Sequence, residues 1–408
     1  MKGIIQTSLL LLALLLPDVI HAHDFEVDGI YYWTWGGDVA YVTYRGNSWL
    51  GYDDYLYSYS GVVNIPSSVT YNNKTYPVVG INMGAFYGCN VTSVSIPNSV
   101  TSIGSAAFMN CTQLTSITIP DITEIWDHVF HGCSRLTSIT IPNTVTVIGQ
   151  WAFADCTSLT SIHIPSGVTE IQEATLMGCE NLTEITVASD NPYYDSREDC
   201  NAIIYTESNM LISGCNSTVI PSSVEEIGVC AFSGLGITEV TIPEGVTTID
   251  NWAFENCKRL TTVTIPYSIN FMGMEAFRNC SSLTDVYSYI DPSNPDSYVD
   301  YYVFYLESED YTGRTLHVPA GTLALYQGSE MWAPFFENIV EMGDGPVSDI
   351  PGDVDGDGQV GIADVTAQID YILGNSDSSF IVANADVDGD GNIGIADVTA
   401  LIDILLGN

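Results

Sequence analysis

Positive charge is scarce in this 408-residue chain: 9 Lys+Arg stand against 50 Asp+Glu, a formal net charge of −41. Such a surface repels phosphate backbones and anionic headgroups, which argues against nucleic acid or a lipid surface as a partner. Long hydrophobic runs are missing too. The one sustained apolar stretch, "SLLLLALLLP" after Lys2, is too short to span a bilayer. With "VIHA" offering Ala22 as a cleavage residue, residues 1–22 have the layout of a secretory signal peptide. The chain is therefore expected to be secreted, to begin near His23 after processing, and to insert in no membrane. No Cys directly follows the run, so a lipid anchor has no support. Catalytic motifs are absent as well: there is no G-x-S-x-G elbow, H-E-x-x-H helix or phosphate-binding glycine loop. With 50 carboxylates, chance pairs are guaranteed and define no glycosidase site. A non-enzymatic protein is expected. His128 and His131 form an H-x-x-H in "WDHVFHGC", expected as a solvated loop pair, and His163 in "SIHIP" is expected on an outward strand face.

What is present argues for a folded chain. Hydrophobic residues make up 46% and aromatics 11%, above what a disordered acidic chain carries. Much of that content repeats. "VTSIGSAAFMNCTQLTSITIP" from Val100 recurs as "ITEIWDHVFHGCSRLTSITIP" from Ile122, "VTVIGQWAFADCTSLTSIHIP" from Val145 and "VTTIDNWAFENCKRLTTVTIP" from Val246. Pro97, Pro120, Pro142 and Pro165 mark steps of 23, 22 and 23 residues, and eight versions of the A-F-x-x-C core lie between Ala85 and Cys280. Leu114, Ile117 and Ile119 alternate with Ser116 and Thr118, as on a strand with one buried face. One unit cannot bury its own apolar set, so the units are expected to stack in one dimension.

Seven of the ten cysteines fall in one column of this repeat: Cys89, Cys111, Cys133, Cys156, Cys179, Cys257 and Cys280. Leu235 takes the same place in "AFSGL", which marks an apolar core column, since a buried thiol behaves as a small hydrophobe. Cys200, Cys215 and Cys230 lie outside it, and a Cys200–Cys215 bond is left open. Between Pro165 and Pro221 the step widens to 56 residues. There "NAIIYTESNMLIS" reads as two short strands around a polar turn, a hairpin projecting from the stack.

The V-T-x-I-x-x-x-A-F-x-x-C-x-x-L-T-x-I-x-I-P unit resembles the BspA-type leucine-rich repeat of bacterial surface and secreted proteins, from about Val62 to Tyr287. Leu176 in place of Phe and Leu235 in place of Cys are local departures. The resemblance implies a mainly β solenoid of 22–23-residue units with β caps. The expected organisation is an N-terminal β cap over 23–78, the repeats over 79–287 with a hairpin insert at 188–219, and a C-terminal cap over 288–342. The Tyr- and Trp-rich stretch from Tyr31 to Tyr59 fits both a cap and a sugar-stacking platform. Outward columns such as Ser93/Ser95, Ser116/Thr118 and Thr262/Thr264 fit both a solvent face of ordinary β propensity and a binding face for a glycan or cell-surface protein.

After a linker over 343–351, residues 352–408 hold 11 Asp and no Lys, Arg or Glu. Asp353, Asp355 and Asp357 take positions 1, 3 and 5 of a loop, Gln359 position 7 and Asp364 position 12. Asp386, Asp388, Asp390, Asn392 and Asp397 repeat that register 33 residues later. Alternate carboxylates around a glycine turn, a carbonyl at position 7 and a final carboxylate supply the hard oxygens that Ca²⁺ takes, so two Ca²⁺ sites are expected. Each loop opens a helix with an apolar side, Val365, Ile369 and Ile372 in the first and Val398, Ile402 and Leu405 in the second. No helix precedes the first loop; Pro351 and Gly352 stand there.

The pattern resembles a type I dockerin, a small all-α tandem of loop–helix Ca²⁺ half-hands, across essentially all of 352–408. That resemblance implies a cohesin-like scaffold module as partner and, from the internal duplication, a face usable in two orientations. Gly361 and Gly394 at position 9, and Ile362-Ala363 and Ile395-Ala396 where cellulosomal dockerins often carry hydroxyls, depart from the family. Two functions fit: a secreted adhesion protein tethered to an extracellular scaffold, or a substrate-targeting component of a polysaccharide-degrading complex. A glycoside hydrolase is the third class.

Overall fold

A computed structural model describes residues 23–45, 58–292, 298–300, 302–342, 352–354, 360–373, 384–388 and 392–406. The signal segment and the linker lie outside the described residues. The chain is mostly short strands with few helices. Successive units coil so that equivalent strands pair in parallel. Glu124 pairs with Val147 and Val147 with Glu170; on the other side of the coil, Ser161–Ile164 lies beside Glu184–Val187. The later units repeat this along the series Thr262, Asp285, Thr315 and Asn338.

The interior consists of three side-chain ladders. Phe86, Phe108, Phe130 and Phe153 stack with centroids 4.9, 5.6 and 5.6 Å apart, and Phe232, Phe254, Phe277 and Phe304 form a second run. Leu176, buried in the Phe column, separates the two runs. Leu114, Leu136, Leu159, Leu182, Leu260 and Leu283 are buried beside them. The thiols form the third ladder and do more than fill space. Cys111 Sγ donates to the Phe86 carbonyl of the preceding coil at 3.0 Å, and Cys133, Cys156, Cys179, Cys257 and Cys280 repeat that bond at 3.1–3.3 Å. Leu235, also buried, keeps the packing without the donor.

Each A-F-x-x-C turn ends on a residue in the left-handed region: Gly88, Asn110, Gly132, Asp155, Gly178, Gly234, Asn256 and Asn279, with φ from 55° to 72°. Only Gly, Asn and Asp occupy this column, the residues that tolerate that conformation best.

All ten cysteines are free thiols. Cys215 Sγ donates to Asn201 O at 3.3 Å and Cys200 Sγ lies 3.7 Å from Ser196 Oγ, so the Cys200–Cys215 bond left open by the sequence is not formed. Burial pushes Cys133 and Cys179 up to about 12, which keeps the reactive thiolate rare. Ellman's reagent is expected to reach Cys230, the one thiol not fully buried, and no other in native protein. Unfolding in guanidine without reductant should then release ten thiols; eight would mean a disulfide.

The hairpin of the wide repeat does not project. Ile203–Tyr205 pairs antiparallel with Met210–Ser213, which continues in parallel into Glu226–Ile227. The insert is thus built into a seven-stranded sheet. Its apolar Ile203, Ile204 and Leu211 are buried, and a projecting hairpin would leave them in water.

Both ends of the stack are covered. At the start, Phe25–Val27, Ile30–Trp35 and Val39–Thr43 form antiparallel pairs that join the parallel ladder through Lys74–Ile81. Phe25, Tyr31 and Tyr32 are buried there, while Trp35 is 65% exposed. At the far end Trp332 and Phe336 close over Phe304, and buried Phe335 packs edge-on against Tyr311. The buried Arg314 guanidinium donates to the carbonyls of Cys280, Leu283 and Phe304 at 3.0–3.2 Å, satisfying backbone acceptors of the final turns.

Candidate calcium loops and outward strand face

In each terminal loop the carboxylate at position 12 is held by backbone amides. Asp364 is fully buried; Val354 N donates to its Oδ1 at 2.8 Å and Gly361 N to its Oδ2 at 2.6 Å. Asp397 repeats this with Val387 N at 2.8 Å and Gly394 N at 2.7 Å, and Asp388 N adds a third donor. Burial raises the Asp397 carboxyl, but the amides of Gly394, Asp388 and Val387 outweigh it and hold the group below its ordinary range, hence ionised. Gly361 is the N-cap of the Ile362–Ile372 helix, so the same carboxylate caps a helix and points into its loop.

One oxygen each from Asp386, Asp388 and Asp397 lies within 4.8 Å of the others. Ca²⁺–oxygen distances of about 2.3–2.6 Å let two ligands of one ion stand up to about 5 Å apart, so these three carboxylates fit a shared Ca²⁺. In the first loop Asp353 is buried like Asp364. Asp355, Asp357, Gln359 and Asp390 lie outside the described residues. Asn392 at position 7 of the second loop is exposed.

The loops hold each other. Gly352 N donates to Asn384 O at 2.8 Å, and Asn384 Nδ2 donates to Asp353 O at 2.7 Å. Gln368, buried on the first helix, donates to Ala385 O at 2.6 Å. Leu401, its counterpart on the Ile395–Leu406 helix, packs toward Gly352, where φ is +101° and an added Cβ would stand 2.5 Å from Leu401 Cδ1. The apolar sides of the two helices are not the buried ones. Ile369, Ile372, Ile402 and Leu405 are exposed, and the inward face carries Asp364 and Gln368, or Asp397 and Leu401. The position-12 carboxylate must enter its loop, and that fixes each helix's rotation. Ile362 and Ile395 consequently stand 81% and 78% exposed, one on each half of the duplicate.

The outward strand face is mixed. Ser93 is in register with Ser116, and His163, exposed as its strand position implies, meets Thr186 Oγ1 at 2.9 Å. Towards the C-terminal end Tyr287 stacks on His317 at 4.3 Å. His317 Nε2 lies 2.9 Å from Asp285 Oδ1, a hydrogen bond that holds the Asp285 carboxyl below its ordinary range.

Comparison with known proteins agrees with both architectures. A family model described as the BspA type leucine rich repeat region matches six copies over residues 79–197 and 207–308. That is more than half of the chain, which belongs to this family. A second model, the dockerin type I domain, matches residues 351–406. A leucine-rich repeat protein from Eubacterium ventriosum is 21% identical over 79% of this chain and 85% of its own, with a TM-score of 0.53, and shares the fold. A leucine rich cell surface protein from Faecalibacterium prausnitzii is 24% identical over 80% of this chain and 95% of its own, with a TM-score of 0.46. No curated protein matches. Both matched domains are of non-catalytic, interaction-mediating kinds, typical of extracellular or surface-associated proteins. Type I dockerins bind calcium, and a dockerin implies a cohesin partner. Among the described residues, no helix is long and apolar enough to cross a membrane.

Proposed function

We propose that this is a secreted, non-catalytic solenoid that binds a glycan or cell-surface protein, held to an extracellular scaffold by a small all-α domain with two Ca²⁺ ions. Asp353, Asp355, Asp357, Gln359 and Asp364 ligate the first ion, and Asp386, Asp388, Asp390, Asn392 and Asp397 the second. The observation that carries this is the matching amide clamp on Asp364 and Asp397, which presents two equivalent loop ends and, beside them, the exposed Ile362 and Ile395. The paired helix faces suit a cohesin-like module docked in either of two orientations. Between caps at 23–78 and 288–342, the repeats over 79–287 carry the ligand-binding face, and the linker at 343–351 separates them from the tether. The same layout serves substrate targeting in a polysaccharide-degrading complex.

Full-length protein passed over immobilised cohesin modules is expected to be captured in Ca²⁺ and released by EGTA. Ile362→Asp alone should leave one docking orientation, and Ile362→Asp with Ile395→Asp should abolish capture. Capture that survives both the chelator and the double substitution, or hydrolysis of plant polysaccharides by the protein, would exclude this function.

A further inference from the structure

His128 and His131 are not the solvated loop pair expected from the sequence. Both are half-buried in a turn of the stack, and His128 holds a left-handed φ of 57°. That conformation lays its ring on the Trp151 indole of the next coil, with centroids 4.8 Å apart and planes 18° apart. It also brings His128 Nδ1 to 3.1 Å from His131 Nδ1. On its far side, His131 Nε2 lies 3.2 Å from Asp155 Oδ2, a carboxylate supplied by the next coil. A proton on Nε2 donates to that carboxylate, which leaves the His131 Nδ1 lone pair facing His128. A histidine fixed by a carboxylate on one nitrogen and open on the other is the arrangement that orients imidazole metal ligands.

We propose that His128 and His131 bind one borderline divalent transition-metal ion, with Zn²⁺ as the reference ion, through their facing Nδ1 atoms, and that Asp155 is the positioning residue. Metal–nitrogen distances of about 2.0–2.1 Å place an ion between nitrogens 3.1 Å apart with an N–metal–N angle of roughly 98°. That lies between the square and tetrahedral values, so the nitrogen spacing suits one ion, and the rings, facing each other with centroids 5.3 Å apart, turn to aim both lone pairs at it. Binding requires the His128 proton to move from Nδ1 to Nε2, a change of tautomer that releases no proton. Water or a ligand's own donor fills the remaining positions. Imidazole pairs favour Zn²⁺, Cu²⁺ and Ni²⁺ over Ca²⁺, which separates this site chemically from the terminal carboxylate loops.

The test is a calorimetric Zn²⁺ titration of the full chain in excess Ca²⁺, which keeps the acidic loops occupied. One saturable site is expected in the wild type, lost in the His128→Gln/His131→Gln variant and unchanged in His163→Gln. Asp155→Asn should weaken it about tenfold or more, as a lost carboxylate partner does. Thermal melts without Zn²⁺ check that the variants fold. If the double variant is destabilised, His128→Gln, which leaves the His131–Asp155 pair in place, decides. Loss of the site there supports the proposal; a Zn²⁺ isotherm equal to the wild type's overturns it, as does a wild type with no saturable site.

Discussion

Phe254→Ala is expected to destabilise the repeat stack by about 3–5 kcal/mol, the range for removing a buried aromatic ring. Phe254 is fully buried between Phe232 and Phe277, at 4.9 and 4.8 Å with planes 7° and 1° apart, so truncation opens a cavity and breaks two stacks. Its amide also bonds the Ala276 carbonyl of the next coil at 2.7 Å, so the loss falls on the contact between neighbouring units. Stability in such a stack is a sum of unit and nearest-neighbour terms. A weakened interface should therefore split one unfolding transition into two, with the units from Thr262 onward separating from those before Glu226. Thermal unfolding followed by near-ultraviolet circular dichroism would show it. Phe254→Leu, which copies the natural Leu176, should recover most of the loss. An unchanged midpoint for the Ala variant would contradict the ladder's role.

Calcium removal is the second large effect. The terminal domain has a thin core: Val354, Ala385 and Leu401 are its buried apolar side chains among the described residues, beside buried Asp353, Asp364 and Asp397. Carboxylates within 4.8 Å of one another repel strongly when no cation lies between them. A domain of this size with so little apolar burial is expected to draw much of its folding energy from the metal. Chelation should melt the Ile362–Ile372 and Ile395–Leu406 helices while the repeats keep their structure. Asp364→Ala is expected to act more severely than loss of a single ligand. It also removes the acceptor of the Val354 and Gly361 amides and so uncaps the first helix.

The repeats and the dockerin type I domain were legible in the sequence because both encode geometry as residue type at fixed spacing. Eight A-F-x-x-C turns keep their register, and ten loop positions fall in two matching sets of five. What escaped depends on neighbours distant in sequence. The rotation of the terminal helices follows from where Asp364 and Asp397 point, and apolar periodicity alone does not say which side of each helix is buried. The hairpin at Ile203–Ser213 reads as a projection until Glu226–Ile227 is seen to extend its sheet. The pairing of His128 with His131 needs a left-handed turn and a carboxylate from the next coil, Asp155. A sequence signal for the turns exists: the residue before each column Cys, or before Leu235, is always Gly, Asn or Asp.

A Ca²⁺-dependent domain is expected to follow a stack of repeats whose fold does not depend on Ca²⁺. Hydrogen exchange on the full chain, read by mass spectrometry in millimolar Ca²⁺ and then in excess EGTA, tests it directly. Peptides covering 352–406 are expected to lose their protection on chelation, while those from 79–308 exchange at unchanged rates. Equal protection of 352–406 in both conditions would contradict the claim.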